Sequence, residues 1–361
     1  MAAAAELRDE TRNVATGRPV EVLPGIYELR ESLGPVFDTP DCWVSLWILV
    51  DPAGNEPPVM VDSGVPRSTE TVILPALQSL GIAPQNLAVI VNTHSHHDHA
   101  GSNVQARRAT GCQIWIHRDD AAAIEQGSSF GAEPCLPHSA DRVLEHGERL
   151  RLAGREYEVV HIHGHSPGSI GLYDHQRRVF FSGDALQAQG TSTQGIAGAQ
   201  DRAAYYGTLD RVDALAIDHL LAAHPYLPFT DSHVQPQGEV RRYLAECRRF
   251  FDEIDGEILD ALDPRGEHVQ PTADAPAAGI VAQGAVGQGP LEGGVPGAGT
   301  LLGEGATAGE LADRICAARG FPRTCALTAF ILQGYLAHLE REQRVQKEGD
   351  GPDARWRAVR A

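Results

Sequence analysis

Thr93-His94-Ser95-His96-His97-Asp98-His99-Ala100-Gly101 packs four imidazoles and one carboxylate into six consecutive positions, directly after the apolar run of residues 87–91. Imidazole and carboxylate groups are costly to bury at the end of a strand unless they find partners. A metal ion is the economical partner. Nitrogen and oxygen donors of this kind suit zinc, with iron or manganese as further options. His94 and His96 sit two apart and project to one side, whereas Asp98 and His99 follow round the bend and aim at a second position. The spacing predicts two metals sharing one loop.

Three further segments follow in order. Gly164-His165-Ser166-Pro167-Gly168-Ser169 comes after the strand-like residues 156–162, Ser182-Gly183-Asp184-Ala185 after 178–181, and Ala222-Ala223-His224-Pro225 after the short run 219–221. Each candidate ligand follows an apolar run, as a site built on strand ends requires. Taken together, the His-x-His-x-Asp-His spacing and these segments resemble the metallo-β-lactamase superfamily over residues 20–235. The resemblance implies an α/β fold, an αββα sandwich of two sheets between helices. It further implies a first metal on His94, His96 and His165, a second on Asp98, His99 and His224, and Asp184 bridging the two.

Two zinc ions per chain sharing a hydroxide are the cofactor this resemblance implies, because coordination lowers the pKa of water to about 7. Asp98 and Asp184 then belong to the catalytic centre itself. Asp62-Ser63-Gly64 is similar to the family's Asp-x-Gly turn, whose aspartate supports the metal loop, a service that metal-bound histidines require. In relatives a tyrosine from the region after the bridging aspartate lies near the metals. That makes Tyr205 or Tyr206 the candidate donor to a developing oxyanion, against the plainer reading of two aromatics at a helix start. Thr191, in the polar stretch 187–195, and His233, soon after His224, are candidates to face substrate.

Class B β-lactamases carry cysteine or serine where this chain has Asp184, so the resemblance argues against β-lactam hydrolysis. It points instead to glyoxalase II-like hydrolases, lactonases and thioesterases acting on a small-molecule ester, thioester or lactone. A mononuclear iron dioxygenase of thiol persulfides shares the histidine series and is the alternative. Glyoxalase II uses a basic C-terminal surface for glutathione, and no clear equivalent follows Gly238.

The formal charge of −18 opposes a nucleic-acid partner, since a phosphate backbone is bound by clustered Lys and Arg. Six cysteines scattered through 361 residues without a Cys-x-x-Cys pair read as reduced thiols. The opening Met1-Ala2-Ala3-Ala4-Ala5-Glu6 has no basic start before an apolar core, so the sequence predicts no signal peptide and a cytoplasmic location. No window approaches a membrane span.

Residues 1–18 read as a flexible tail and 19–236 as the metal-binding domain. Val240, Leu244, Cys247, Phe251, Ile254, Ile258 and Leu262 recur at helical spacing, which predicts one long amphipathic helix over 237–263 and a surface open to a homodimer. Residues 264–306, dense in Gly, Ala and Pro, read as a linker. Thr307-Ala308-Gly309-Glu310 is a capping-box pattern, and 307–361 reads as a helical region. Its second helix is expected over 324–345. The region resembles the winged-helix-like tail of some glyoxalase II-like hydrolases, with two helices walling the pocket as the plainer reading. A DNA-binding tail on a sensor domain is the third functional class, opposed by the charge.

Overall fold

The run Trp43-Val44-Ser45-Leu46-Trp47-Ile48-Leu49 is apolar at all but one position, a pattern that suits a strand covered on both faces. Val44 through Leu49 are indeed buried. The computed structural model describes residues 18–34, 42–128, 134–191, 196–263, 300–320 and 326–360. The tail reading, apart from Arg18, and the linker reading over 264–299 lie outside the described residues.

A first sheet is built from β1 (Val20–Leu23), β2 (Ile26–Ser32), β3 (Trp43–Leu49), β4 (Val59–Val61), β5 (Val89–Val91), β6 (Gln113–His117) and β7 (Arg142–Leu144), in that spatial order. It is antiparallel as far as β4 and parallel from β4 to β7. The second sheet contains β8 (Arg149–Leu152), β9 (Arg155–His161), β10 (Ile170–Asp174), β11 (Val179–Gly183), β12 (His219–Ala222) and β13 (His233–Val234). Only β11 and β12 run parallel there, so β9, β11 and β12 end at one edge.

Period-two alternation places Trp47 and Leu49 between the sheets, with Val61, Val91, Leu172, Phe181 and Leu221. Trp47 meets Phe181 edge to face at 5.8 Å. The alternate residues Leu46 and Ile48 look outward with Met60 and Ile90, against helical residues including Val72, Leu77 and Ala106. The helices are α1 (Leu74–Ser79, entered through a π-helical turn Thr69–Ile73), α2 (His97–Ala100), α3 (Asn103–Thr110), α4 (Arg118–Gln126), α5 (Arg202–Asp213), α6 (Gln237–Leu262), α7 (Ala308–Ala318) and α8 (Ala326–Arg341). On the second sheet, α5 is pinned where the Thr208 hydroxyl donates to the His163 carbonyl at 2.8 Å. The sandwich is the α/β architecture expected from the ligand series.

The chain divides into two compact units, Met1–Phe251 and Asp252–Ala361. In the second, Arg319 pairs with Glu257 at 2.7 Å and the Arg314 guanidinium donates to the Ala261 carbonyl at 2.8 Å. These contacts tie α7 to the end of α6. The expected capping box is present at Thr307 and Glu310.

The helical reading of 307–361 needs correction, because three strands, β14 (Thr300–Ala306), β15 (Val345–Glu348) and β16 (Arg355–Arg360), pair in the order β14-β16-β15. The helix expected to reach residue 345 stops at Arg341, and residues 300–306 of the expected linker form a strand. In β16 the buried Trp356 and Ala358 alternate with charged residues. That period-two signal is short and was hidden beside a stronger helical one. Among the described residues no helix is long and apolar enough to cross a membrane.

Candidate metal centre

The loops that follow β5, β9, β11 and β12 bring seven side chains into two groups. His94, His96 and His165 form one, and Asp98, His99, Asp184 and His224 the other, with the potential ligand atoms of each group within 4.8 Å of one another. His96 Nδ1 faces His165 Nε2 at 2.9 Å. Asp184 Oδ1 lies 3.3 Å from both His99 Nε2 and His224 Nε2, while its Oδ2 lies 3.7 Å from His165 Nε2. The Asp184 carboxylate therefore sits between the groups.

Backbone and side-chain acceptors orient these rings. Asp62 Oδ2 accepts from His99 Nδ1 at 2.9 Å, and the Trp43 carbonyl accepts from His224 Nδ1 at 2.6 Å. Each bond commits Nδ1 to its proton, so Nε2 is the nitrogen that faces the other members of the group. The Thr93 hydroxyl donates to Asp62 at 2.8 Å and so accepts from His94 Nδ1 at 3.1 Å. Asp62 also accepts from the Thr93 amide at 2.7 Å. It adopts φ 63°, a conformation sparsely populated by a non-glycine residue and held here by three hydrogen bonds. Gln187, in the polar stretch after Asp184, sets Nε2 2.9 Å from His165 Nδ1 while its Oε1 accepts from the Gly198 amide at 2.7 Å.

Electrostatics divides the groups. Burial pushes His94 well below its ordinary pKa, reinforced by His99, His96 and His165. His96 moves the same way, again chiefly through burial. Burial and the neighbouring His96 bring His165 down to about 4. Burial also disfavours a charged His99, but Asp184, Asp98 and Asp62 outweigh it and raise this ring to about 10. His224 rises well above its ordinary value, with burial overcome by Asp184 and Asp98. Burial likewise opposes ionisation of Asp98 and Asp184, yet His99 and His224 hold both below the usual carboxylate range.

A metal pair fits these residues. His94 Nε2, His99 Nε2 and Asp184 Oδ1 are buried without a hydrogen-bond partner among the described residues, and such orphaned atoms are costly unless a ligand satisfies them. Imidazole nitrogens with carboxylate oxygens are the donor set of borderline divalent cations. A third group, His117, Asp119 and His161, is less suited. The His117 and His161 rings stack at 4.2 Å and 20°, so their in-plane lone pairs run side by side instead of converging. His161 Nε2 also lies 2.8 Å from the Pro167 carbonyl.

The candidates for substrate contact fare differently. Tyr205 is buried with its ring 4.5 Å from Phe251, and its backbone touches the Gly164 turn, where a Cβ would approach within 2.8 Å. Tyr206 takes the Arg202 and Arg248 guanidinium groups over its ring. These contacts seat both rings between α5 and α6. Thr191 is buried beside residues 192–195, which lie outside the described residues. His233 pairs with His219 at 3.1 Å, at the start of β12 and so at the strand end opposite His224, which corrects the expectation that it faces the site.

Sequence reading passed over two residues. Tyr226 is fully buried, its hydroxyl without a hydrogen-bond partner among the described residues, its ring 5.6 Å from that of His224. Burial first, then the Asp184 carboxylate and Tyr243, raise its hydroxyl well above the ordinary pKa, which keeps it a protonated donor. Its signal was an aromatic two positions after the candidate ligand His224. Asp120 is the second: its carboxylate accepts from the Ser95 amide at 2.8 Å, the Ser166 hydroxyl at 3.0 Å and the Gly168 amide at 2.7 Å. An acidic pair at a strand-to-helix junction was its only mark.

The metallo-beta-lactamase superfamily model matches residues 40–225. Over 107 residues the chain is 36% identical to a hydroxyacylglutathione hydrolase of Haemophilus influenzae, covering 28% of this chain and 50% of that one. Over 167 residues it is 26% identical to an acyl-coenzyme A thioesterase of Gallus gallus, covering 39% and 57%. The chain thus spans about half the length of these curated relatives. A metallo-beta-lactamase family protein from Thermus thermophilus superposes with a TM-score of 0.63 at 20% identity, covering 94% of this chain and 100% of that one. A beta-lactamase domain protein from Burkholderia ambifaria gives 0.65 at 18% identity, covering 95% of each chain. At such identities the structural likeness is one of fold.

Proposed function

The chain belongs to the metallo-beta-lactamase superfamily, and on that premise we propose that it is a dinuclear zinc-dependent hydrolase of a small-molecule thioester, with esters and lactones as related substrates. The observation that carries this reading is the convergence of His94 Nε2, His99 Nε2 and Asp184 Oδ1, buried and without a hydrogen-bond partner among the described residues, in two ligand groups that meet at one carboxylate. The relatives named above support the thioester, one being named a hydroxyacylglutathione hydrolase and the other an acyl-coenzyme A thioesterase.

His94, His96 and His165 would hold the first zinc, Asp98, His99 and His224 the second, and Asp184 both. When bound, the zinc pair supplies a nucleophilic water at neutral pH and polarises the acyl carbonyl. Asp62, Thr93 and the Trp43 carbonyl hold the Nδ1 protons of His99, His94 and His224, which turns Nε2 of each ring toward the metal. The Tyr226 hydroxyl, held protonated beside Asp184, is the donor that would meet negative charge developing on the acyl oxygen or the leaving thiolate. No serine or cysteine nucleophile is required.

Elemental analysis of protein purified without added metal tests this reading, combined with a thioester assay before and after chelation. About two zinc ions per chain and activity lost on chelation and regained with zinc are expected. About one iron per chain, with oxygen uptake on a glutathione persulfide and no hydrolysis, would replace it with the dioxygenase.

A further inference from the structure

We infer that the Asp120 carboxylate is the positioning residue of the first metal position, coupling the loop that carries His94 and His96 to the loop that carries His165. The inference rests on the ligand reading proposed above. Those loops leave different sheets, the first from β5 and the second from β9. Nothing in the local sequence fixes the distance between them, so a three-imidazole site assembled across both needs a tie.

Asp120 provides one. Its Oδ2 accepts from the amide of Ser95, the residue between two ligands, and from the hydroxyl of Ser166, the residue after the third. Its Oδ1 accepts from the Gly168 amide at 2.7 Å. The residue is 1% exposed, and three donors to a buried carboxylate make strong charge-assisted bonds. Helix capping does not explain it, because the cap of α4 is the His117 side chain, which accepts from the Asp119 amide.

Gly168 is shaped for this contact, since a Cβ there would come within 2.6 Å of the Asp120 amide nitrogen and 2.7 Å of its Cγ. The Ser166 hydroxyl is also buttressed by Ser169 Oγ at 2.7 Å. Asp62 does the corresponding work for the other group through Thr93 and His99, but all of its partners lie on the first-sheet side. Asp120, by contrast, accepts from the loops of both sheets that carry the three histidines.

The test is stepwise cobalt(II) loading of the metal-free full chain, with affinities from competition against a chelator and the two positions told apart by their paramagnetically shifted imidazole N–H resonances. In Asp120→Asn the three-histidine position should weaken by roughly 10- to 100-fold, the scale for loss of an outer partner. The signals of His99 and His224 should persist. Ser166→Ala, which deletes one donor and leaves the carboxylate, should shift the same position in the same direction by less, and it decides the matter if Asp120→Asn does not fold. Unchanged affinities, or equal weakening of both positions, would overturn the inference. A wild-type chain that binds fewer than two cobalt ions would instead overturn the ligand reading.

Discussion

His94, His96 and His165 form a group of imidazoles alone, whereas His99 and His224 share theirs with the Asp98 and Asp184 carboxylates. The groups are largely buried and adjacent, with the His94 and His99 rings 4.0 Å apart. Burial acts on all five rings to expel the proton. It wins in the first group and loses in the second, where the Asp98 and Asp184 carboxylates lie closest to the rings, at 3.2–3.3 Å from His99 and His224 against 3.7 Å from His165. Without metal the first group is therefore neutral and the second an internal ion-pair cluster. Divalent cations would meet a preformed set of lone pairs in one and would have to displace protons from the other.

Removing the shared carboxylate should break this contrast most severely. Asp184→Ala takes away oxygens facing both groups, so metal content should fall below two per chain and kcat/KM by about 10³-fold, roughly 4 kcal/mol of barrier. Retention of two metals and of activity would remove Asp184 from the centre.

A smaller change sharpens the comparison on its second side. Tyr226→Phe deletes only the hydroxyl near Asp184, and kcat should drop by about 10²-fold, the scale for one oxyanion donor, while metal content and KM hold. If kcat stays at the wild-type value, Tyr226 is a packing residue.

The mildest probe is pH acting on the chelated protein, followed by thermal unfolding. His165 titrates at about 4 in the fold against about 6.5 unfolded, so the unfolded chain binds the extra proton between those values and stability should fall as pH drops from 6.5 to 4. His99 titrates at about 10 in the fold, so its contribution is complete below 6.5 and should be lost as pH rises toward 10. From these two groups the metal-free protein should be most stable near pH 6.5, and zinc should flatten both slopes by holding every ring unprotonated on the ligand side. A monotonic profile would show that the groups do not differ as described.

The candidate ligands were legible because each stands at the end of an apolar run, and the order of four such segments is written along one dimension. The two-sheet sandwich followed from the same order. The strands of the second unit were not legible, since β14 lies in a Gly-rich stretch and β15 and β16 are short. The packing of Tyr205 and Tyr206 against Phe251, Arg202 and Arg248 was not legible either, since it depends on where α6 lies on α5.

The sequence by itself determined which side chains can bind metal and that they sit at strand ends, because residue type and hydrophobic period are local properties. Tertiary structure decided how those side chains are held. The Trp43 carbonyl meets His224 across 181 positions, Asp62 meets His99 across 37, and Asp120 meets Gly168 across 48. A backbone carbonyl is common to every residue and a buried aspartate resembles an exposed one, so such partners become visible only when the sheets bring their loops together.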